Sequence, residues 1–367
     1  MDRFPLWDHL GSKRIPAAWE MEFTARCNFN CRHCYINRPA DDAAAREAEL
    51  DIRRIEAIAD QAVALGTLWV LITGGEPLLR PDFCDVYRML KKKGLLVSVF
   101  TNAALIRKHH VEMFRRYPPR DIEVSVYGVS ESIHTAVTRV QGGLEASQRG
   151  LNMLLEAGIP VRLKAMAMRA NVAELGEISH FCRRYTRDYF RFDPFLHLRY
   201  DRDPVRNREI RAQRLNPAEV VAVERQDEVR FENLQSSCVS LLRSGEAEKD
   251  SPLIQCGAGR VGFTTGPDGT FRLCGAMNHP DTIYDLRYGS LEEAWNVFTP
   301  KVLSMKPENP DFYKTCGGCS LINLCMWCPA NAWLETGAMD QPVEAFCEMT
   351  RARIAMLQLA ENANAFK

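Results

Sequence analysis

A three-part module recurs in the first half of the chain: an apolar-periodic helix, a glycine, then a run rich in Val, Leu and Ile. EAELDIRRIEAIADQAVALG leads to TLWVLITGG, DFCDVYRMLKKKG to LLVSVFTN, and GGLEASQRGLNMLLEAG to IPVRLKAMAM. Gly66, Gly94 and Gly158 stand where a helix closes in the left-handed conformation, which glycine adopts without a Cβ penalty. The following runs lack clean alternation, the pattern of strands buried on both faces. AWEMEFT (18–24), DIEVSVYG (121–128) and YFRFDPFLH (189–197, interrupted by Pro194) supply three more candidate strands. Helix alternating with strand implies a parallel sheet. The expected fold class is α/β: a partial (β/α)6 TIM-like barrel over residues 18–198. A doubly wound open sheet is the alternative, because periodicity alone does not close a barrel.

Catalytic groups of such folds collect at the C-terminal ends of the strands. CNFNCRHC (27–34) follows the first strand, TGGEP (73–77) ends the second, Thr101 and Asn102 end the third, and SVYG (125–128) ends the fourth. The distinctive residues therefore converge on one rim. Asn102 and Lys164, in the fifth run, point to the same place.

Thirteen cysteines are many for a chain with no secretory signal pattern at its N-terminus, MDRFPLWDHLGSKRIP. A cytoplasmic location is expected, and there the clustered cysteines suggest metal rather than disulfides. Isolated Cys84 and Cys182 read as small buried apolar residues. Cys27, Cys31 and Cys34 follow C-x3-C-x2-C spacing. A four-iron cubane needs one outside ligand per iron, so three thiolates leave one iron open. His33 could instead complete a four-ligand zinc site. Lys plus Arg and Asp plus Glu are equal at 47 each, so the basic excess of a nucleic-acid binder is absent. No apolar run approaches the length of a membrane span.

CNFNCRHC followed by GGEP resembles the signature of the radical S-adenosylmethionine enzymes, and the resemblance extends over nearly the whole chain. It implies a [4Fe-4S] cluster on Cys27, Cys31 and Cys34, with S-adenosylmethionine chelating the open iron. The cluster reduces the sulfonium, and the 5′-deoxyadenosyl radical so formed abstracts hydrogen from a substrate. The same resemblance implies that Gly74, Gly75 and Glu76 face the cofactor's amino group and that Ser125 touches the cofactor. Ser125 reads equally well as a serine of a buried strand. His33 stands where the family has an aromatic residue near adenine. An electron donor such as flavodoxin or ferredoxin is implied as a partner.

Seven further cysteines read C256-x12-G269-x4-C274, then C316-x2-C319-x5-C325-x2-C328, then C347. This resembles the SPASM extension, which holds two auxiliary iron–sulfur clusters. By that resemblance Cys316, Cys319, Cys325 and Cys347 ligate the outer cluster, and Cys256, Cys274 and Cys328 the inner one. The inner set has three ligands; Cys238 could be the fourth, or an iron could be open. Taken alone, C-x2-C-x5-C-x2-C also suits a pair of zinc sites.

The expected organisation is an N-terminal segment (1–17), the barrel core (18–198), a linker and helix (199–250), the auxiliary-cluster region (251–350) and a C-terminal helix (351–367). Within the linker, six arginines between Arg199 and Arg214 alternate with acids, as on a solvated surface. A helix is predicted over 217–234, and GFTTGPDGTFRLC predicts a hairpin. Enzymes with the extension mostly modify peptides or proteins, which sets the expected substrate class. Small-molecule chemistry and a non-catalytic electron-transfer or scaffold role are the alternatives. Sulfatase-maturing relatives place an aspartate after the G-x4-C cysteine, where this chain has Gly275. The 26 residues before Cys27 are too few for the leader-binding domain of many peptide-modifying relatives.

Overall fold

The computed structural model describes residues 10–186, 192–241 and 251–364. Strands β1 (Ala18–Thr24), β2 (Trp69–Gly74), β3 (Leu96–Thr101), β4 (Asp121–Ser125), β5 (Val161–Met166) and β6 (Phe192–Asp193) pair in parallel, in sequence order. Between them run α1 (Ile52–Ala64), α2 (Phe83–Lys92), α3 (Lys108–Arg116), α4 (Glu131–Thr138), α5 (Gly143–Glu156) and α6 (Leu175–Tyr185). The result is the expected partial (β/α)6 barrel. Its sixth strand is short, and part of the 189–197 run lies outside the described residues. Among the described residues no helix is long and apolar enough to cross a membrane.

Local chemistry explains the helix bounds. Asp51 caps α1 by accepting from Arg54 N at 2.8 Å. The stripe Ile55, Ile58, Ala59 and Ala62 follows 3.6-residue spacing and is buried against the sheet core. Each buried isoleucine contributes about 1.5–3 kcal/mol. Gly66, Gly94 and Gly158 close three helices at φ +100°, +86° and +69°.

The strands differ from expectation in one respect: they do alternate. Outward residues such as Trp19, Met21, Phe23, Ile122, Val124, Val161 and Leu163 are buried among the helices. The residues between them (Glu20 and Glu22, Glu123 and Ser125, Arg162 and Lys164) stand on the opposite face, inside the barrel. There Lys164 pairs with Glu123 at 2.9 Å and sits 3.5 Å from the Phe100 ring centre. A partial barrel leaves room for a polar interior that a closed, packed one would exclude.

Beyond residue 198 the chain is more ordered than a solvated linker. Asp203 and Pro204 start α7 (Pro204–Gln213), with Asp203 accepting from Val205 N and Arg206 N. The helix predicted over 217–234 is two, α8 (Pro217–Gln226) and α9 (Glu228–Leu241), separated at Asp227. The expected hairpin forms between β7 (Gly262–Thr265) and β8 (Thr270–Arg272), which also pairs with β9 (Tyr284–Asp285). β7 then pairs in parallel with β1, so one nine-stranded sheet runs through the core and the extension. Trp19 seals the join by donating to Thr265 Oγ at 2.8 Å. After α10 (Pro329–Thr336), the last helix, α11 (Glu344–Asn364), begins before residue 351 and carries Cys347.

Candidate metal and cofactor site

The strand ends gather around one cavity of about 280 Å³. Its lining includes Cys27, Cys31, His33 and Cys34 from the loop after β1, Gly74 and Gly75 after β2, and Asn102 after β3. Ser125 and Tyr127 line it from β4 and beyond, and Lys164 from β5. The rim predicted from sequence is therefore real, and all three N-terminal cysteines face the same space.

The cysteine loop is fixed from two sides. Asn30 N donates to Thr138 O and Arg32 N to Val137 O, both at 3.0 Å, at the end of α4. On the other side Arg206 donates to Cys31 O at 2.9 Å, and Arg199 donates to Cys34 O and to both oxygens of Asn37. Arg199 is 4% exposed and is gripped through two bonds by Asp201. This overturns the reading of 199–214 as a solvated stretch. Two guanidinium groups beside the loop are placed to offset the charge the thiols would carry once a metal displaces their protons. Arg139 caps α4 at φ +61° and pairs with Glu209 of the same stretch.

Inside the loop, Phe29 N donates to Cys27 Sγ and Asn37 N to Cys34 Sγ, each at 3.3 Å. Burial, then Glu76, pushes the Cys27 thiol above its usual range; burial, then Cys34 and Cys27, does the same at Cys31. Such thiols stay protonated until a metal displaces the protons. Four sulfurs around one zinc would lie about 3.8 Å apart, from Zn–S of about 2.3 Å. Among the described residues, neither these sulfurs with His33 nor the C-terminal cysteines gather three ligand atoms within 4.8 Å of one another. The three all-sulfur donors suit an iron–sulfur cluster.

His33 is 9% exposed and lies edge-on to Tyr127 at 4.9 Å. Burial, then Arg206 and Lys164, lowers its pKa to about 4, so the ring is neutral. Its Nδ1 is buried without a partner among the described residues, which is rare for a ring nitrogen unless a ligand completes it. Ser125 lines the cavity and is hydrogen-bonded to Tyr127.

Gly74 and Gly75 serve the protein first. A Cβ on Gly74 would lie 2.3 Å from Thr24 O, and one on Gly75 would lie 2.2 Å from Arg26 O. The pair is pressed against the start of the cysteine loop, next to a one-residue register shift in β1. Glu76 is the departure. It is fully buried, lies outside the cavity lining, and accepts from Leu78 N, Thr101 Oγ and Asn102 N. Its carboxylate bolts two strand-end loops together rather than facing the cavity. Burial raises its pKa to about 7 against the pull of those three bonds.

The sequence reading missed the charged floor. Glu20 lines the cavity, and burial raises its pKa despite Arg272 and Lys164 nearby. Glu22 is ion-paired with Arg272, both nearly inaccessible, and burial raises its pKa to about 7. A Cβ on Gly275 would lie 2.9 Å from Glu20 Oε1. A carboxylate from β1 thus occupies the space beside position 275. The signal was present as A-W-E-M-E-F-T, a strand with acids on every second position.

Seven C-terminal cysteines fall into two neighbourhoods, Cys316, Cys319, Cys325 and Cys347 in one and Cys256, Cys274 and Cys328 in the other. Burial, then the neighbouring Cys347, Cys325 and Cys319, pushes Cys316 up to about 12. Cys328 is pushed up to about 12 by burial first, with Cys274 and Cys256 adding to it. Burial raises the Cys274 pKa first, with Cys256 and Glu20, itself in the cavity lining, adding to it. The Cys238 side chain lies outside the described residues.

Residues 21–182 match the model of the Radical SAM superfamily. The AdoMet-dependent heme synthase of Methanosarcina barkeri is 30% identical over 158 residues, 43% of this chain and 44% of that protein. The chain thus spans less than half the length of the heme synthases it matches. The antilisterial bacteriocin subtilosin biosynthesis protein AlbA of Bacillus subtilis is 24% identical over 335 residues, 85% of this chain and 71% of that protein. Streptococcus suis SuiB bound to its precursor peptide SuiA superposes with a TM-score of 0.67 at 17% identity, covering 90% of this chain and 76% of that one.

Proposed function

Starting from residues 21–182 as a radical SAM domain, we propose that the chain is a radical S-adenosylmethionine enzyme that modifies a peptide or protein, with a SPASM-type C-terminal region. The observation that carries this reading is the convergence of Cys27, Cys31 and Cys34 on the rim cavity, beside Gly74 and Gly75. The peptide assignment is supported by coverage. The bacteriocin-biosynthesis relative aligns along 85% of this chain, the heme synthases along 43–46%.

In this reading Cys27, Cys31 and Cys34 hold the [4Fe-4S] cluster, with Arg199 and Arg206 offsetting its charge. Gly74 and Gly75 present backbone to the cofactor, His33 and Ser125 bound its adenosine end, and Glu76 holds the wall in place from behind. When bound, the cluster supplies one electron that cleaves S-adenosylmethionine, and the 5′-deoxyadenosyl radical takes hydrogen from the substrate. Glu20 and Lys164 face the cavity and can hold or pass a proton there. Cys256, Cys274 and Cys328 would hold an inner auxiliary cluster beside Glu20, and Cys316, Cys319, Cys325 and Cys347 an outer one. Flavodoxin or ferredoxin would supply the electron.

The test is anaerobic cluster assembly, reduction, and measurement of 5′-deoxyadenosine with and without deuterated precursor peptides. Deuterium carried into 5′-deoxyadenosine from a peptide is the expected result. No 5′-deoxyadenosine from cluster-loaded protein refutes the enzyme assignment. A second reading, a tetrapyrrole substrate, has the 30% identity to heme synthase in its favour. Deuterium transfer from a porphyrin and from no peptide would establish it instead.

A further inference from the structure

Cys84 was expected to be an isolated apolar residue, yet two histidines far along the chain meet it. It lies in the first turn of α2; His109 and His110 lie in the first turn of α3. Among the described residues, these three alone bring metal-ligating atoms within 4.8 Å of one another. We propose that Cys84, His109 and His110 bind a zinc-class divalent ion, outside the barrel and apart from the cysteine clusters.

The geometry is specific. Adjacent residues on a helix project about 100° apart, yet the Nε2 atoms of His109 and His110 face each other at 3.1 Å. Two nitrogens on one tetrahedral zinc stand about 3.3 Å apart, given Zn–N of about 2.0 Å. Two imidazoles and a thiolate form a borderline-soft donor set that suits zinc better than magnesium or calcium. His110 is buried, packs edge-on to Phe83, and its Nδ1 accepts from the Arg107 N–H at 3.2 Å. A metal on Nε2 requires the ring proton on Nδ1, so binding would displace the Arg107 N–H from that nitrogen. A cavity of about 280 Å³, lined also by Leu78, Pro81 and Leu105, leaves space for a water as fourth ligand.

The position gives the ion a task. α2 follows the Gly74–Gly75 rim, and α3 follows Asn102, which donates to Asn28 at 2.8 Å beside Cys27. Glu76 ties these two loops from within; the ion would tie them from outside. The test uses the full chain with its clusters assembled, so that the other thiols are occupied. Protein is exposed to zinc, dialysed and analysed for zinc and iron, and its zinc ligands are read by zinc-edge X-ray absorption. The wild type should keep one zinc more than Cys84→Ser and His109→Ala at equal iron per chain, with one sulfur and two imidazoles around it. Equal zinc per cluster-loaded chain in all three, or zinc bound only by sulfur, overturns the proposal.

Discussion

Replacing Glu76 by glutamine tests whether this carboxylate is a bolt beneath the rim or a ligand of the cofactor. Oε1 accepts from Leu78 N at 3.1 Å and Thr101 Oγ at 2.8 Å, and Oε2 accepts from Asn102 N at 2.8 Å. Glutamine keeps the shape but has one acceptor. With its carbonyl at the Oε1 place, its NH2 meets Asn102 N–H, donor against donor. A buried N–H left without an acceptor costs about 1–3 kcal/mol, and loss of charge assistance weakens the other two bonds by roughly 1 kcal/mol each. A net local loss of about 3 kcal/mol makes opening on the order of 100-fold more frequent. Hydrogen–deuterium exchange of cluster-loaded protein reads this directly. Peptides covering 75–80 and 101–105 should exchange on the order of 100-fold faster, while β4 stays unchanged. If both segments keep their protection and S-adenosylmethionine affinity falls instead, the carboxylate faces the cofactor and the bolt account is wrong.

Other consequences can be measured in the same way. Arg206→Met removes the guanidinium on Cys31 O; on the proposed three-cluster reading iron content should fall by about a third, while the solvent-side Arg211→Met leaves it unchanged. Gly275→Asp drives a second carboxylate against Glu20; chemical denaturation should show a loss of about 1–3 kcal/mol, partly recovered by adding Glu20→Gln. On the same three-cluster reading Cys316→Ala should lower iron content by one auxiliary cluster and leave 5′-deoxyadenosine formation detectable. Glu76 and Glu22 have folded-state pKa values raised to about 7, against 4.5 for the free group. Between those values the folded protein binds protons that the unfolded chain does not, so this contribution is full below about pH 4.5 and is lost as pH rises through 7. Glu76→Gln should flatten that slope, as seen by comparing denaturation midpoints at pH 5.5 and 7.5 with wild type.

The order of strands, the glycine caps and the cysteine spacing were legible because each is written in neighbouring residues. Backbone propensity and side-chain period act over one helix or one strand, and a C-x3-C-x2-C loop carries its own geometry. The polar barrel interior was half legible. β1 shows acids at Glu20 and Glu22, but the charge that justifies burying them comes from Arg272, 250 residues after Glu22. Arg199 and Arg206 read as surface residues because charge-rich composition is usually solvated; only the packing of α7 against the cysteine loop desolvates them. Glu76 was expected at the cofactor through the family resemblance of GGEP, whereas its three donors come partly from the end of the next strand. Cys84 read as inert for the same reason, its two imidazoles lying one module further on. Sequence by itself determined the scaffold and the thiols. Tertiary structure decided which charges are buried together and which lone pairs meet, because desolvation and pairing exist only once distant segments share one interior.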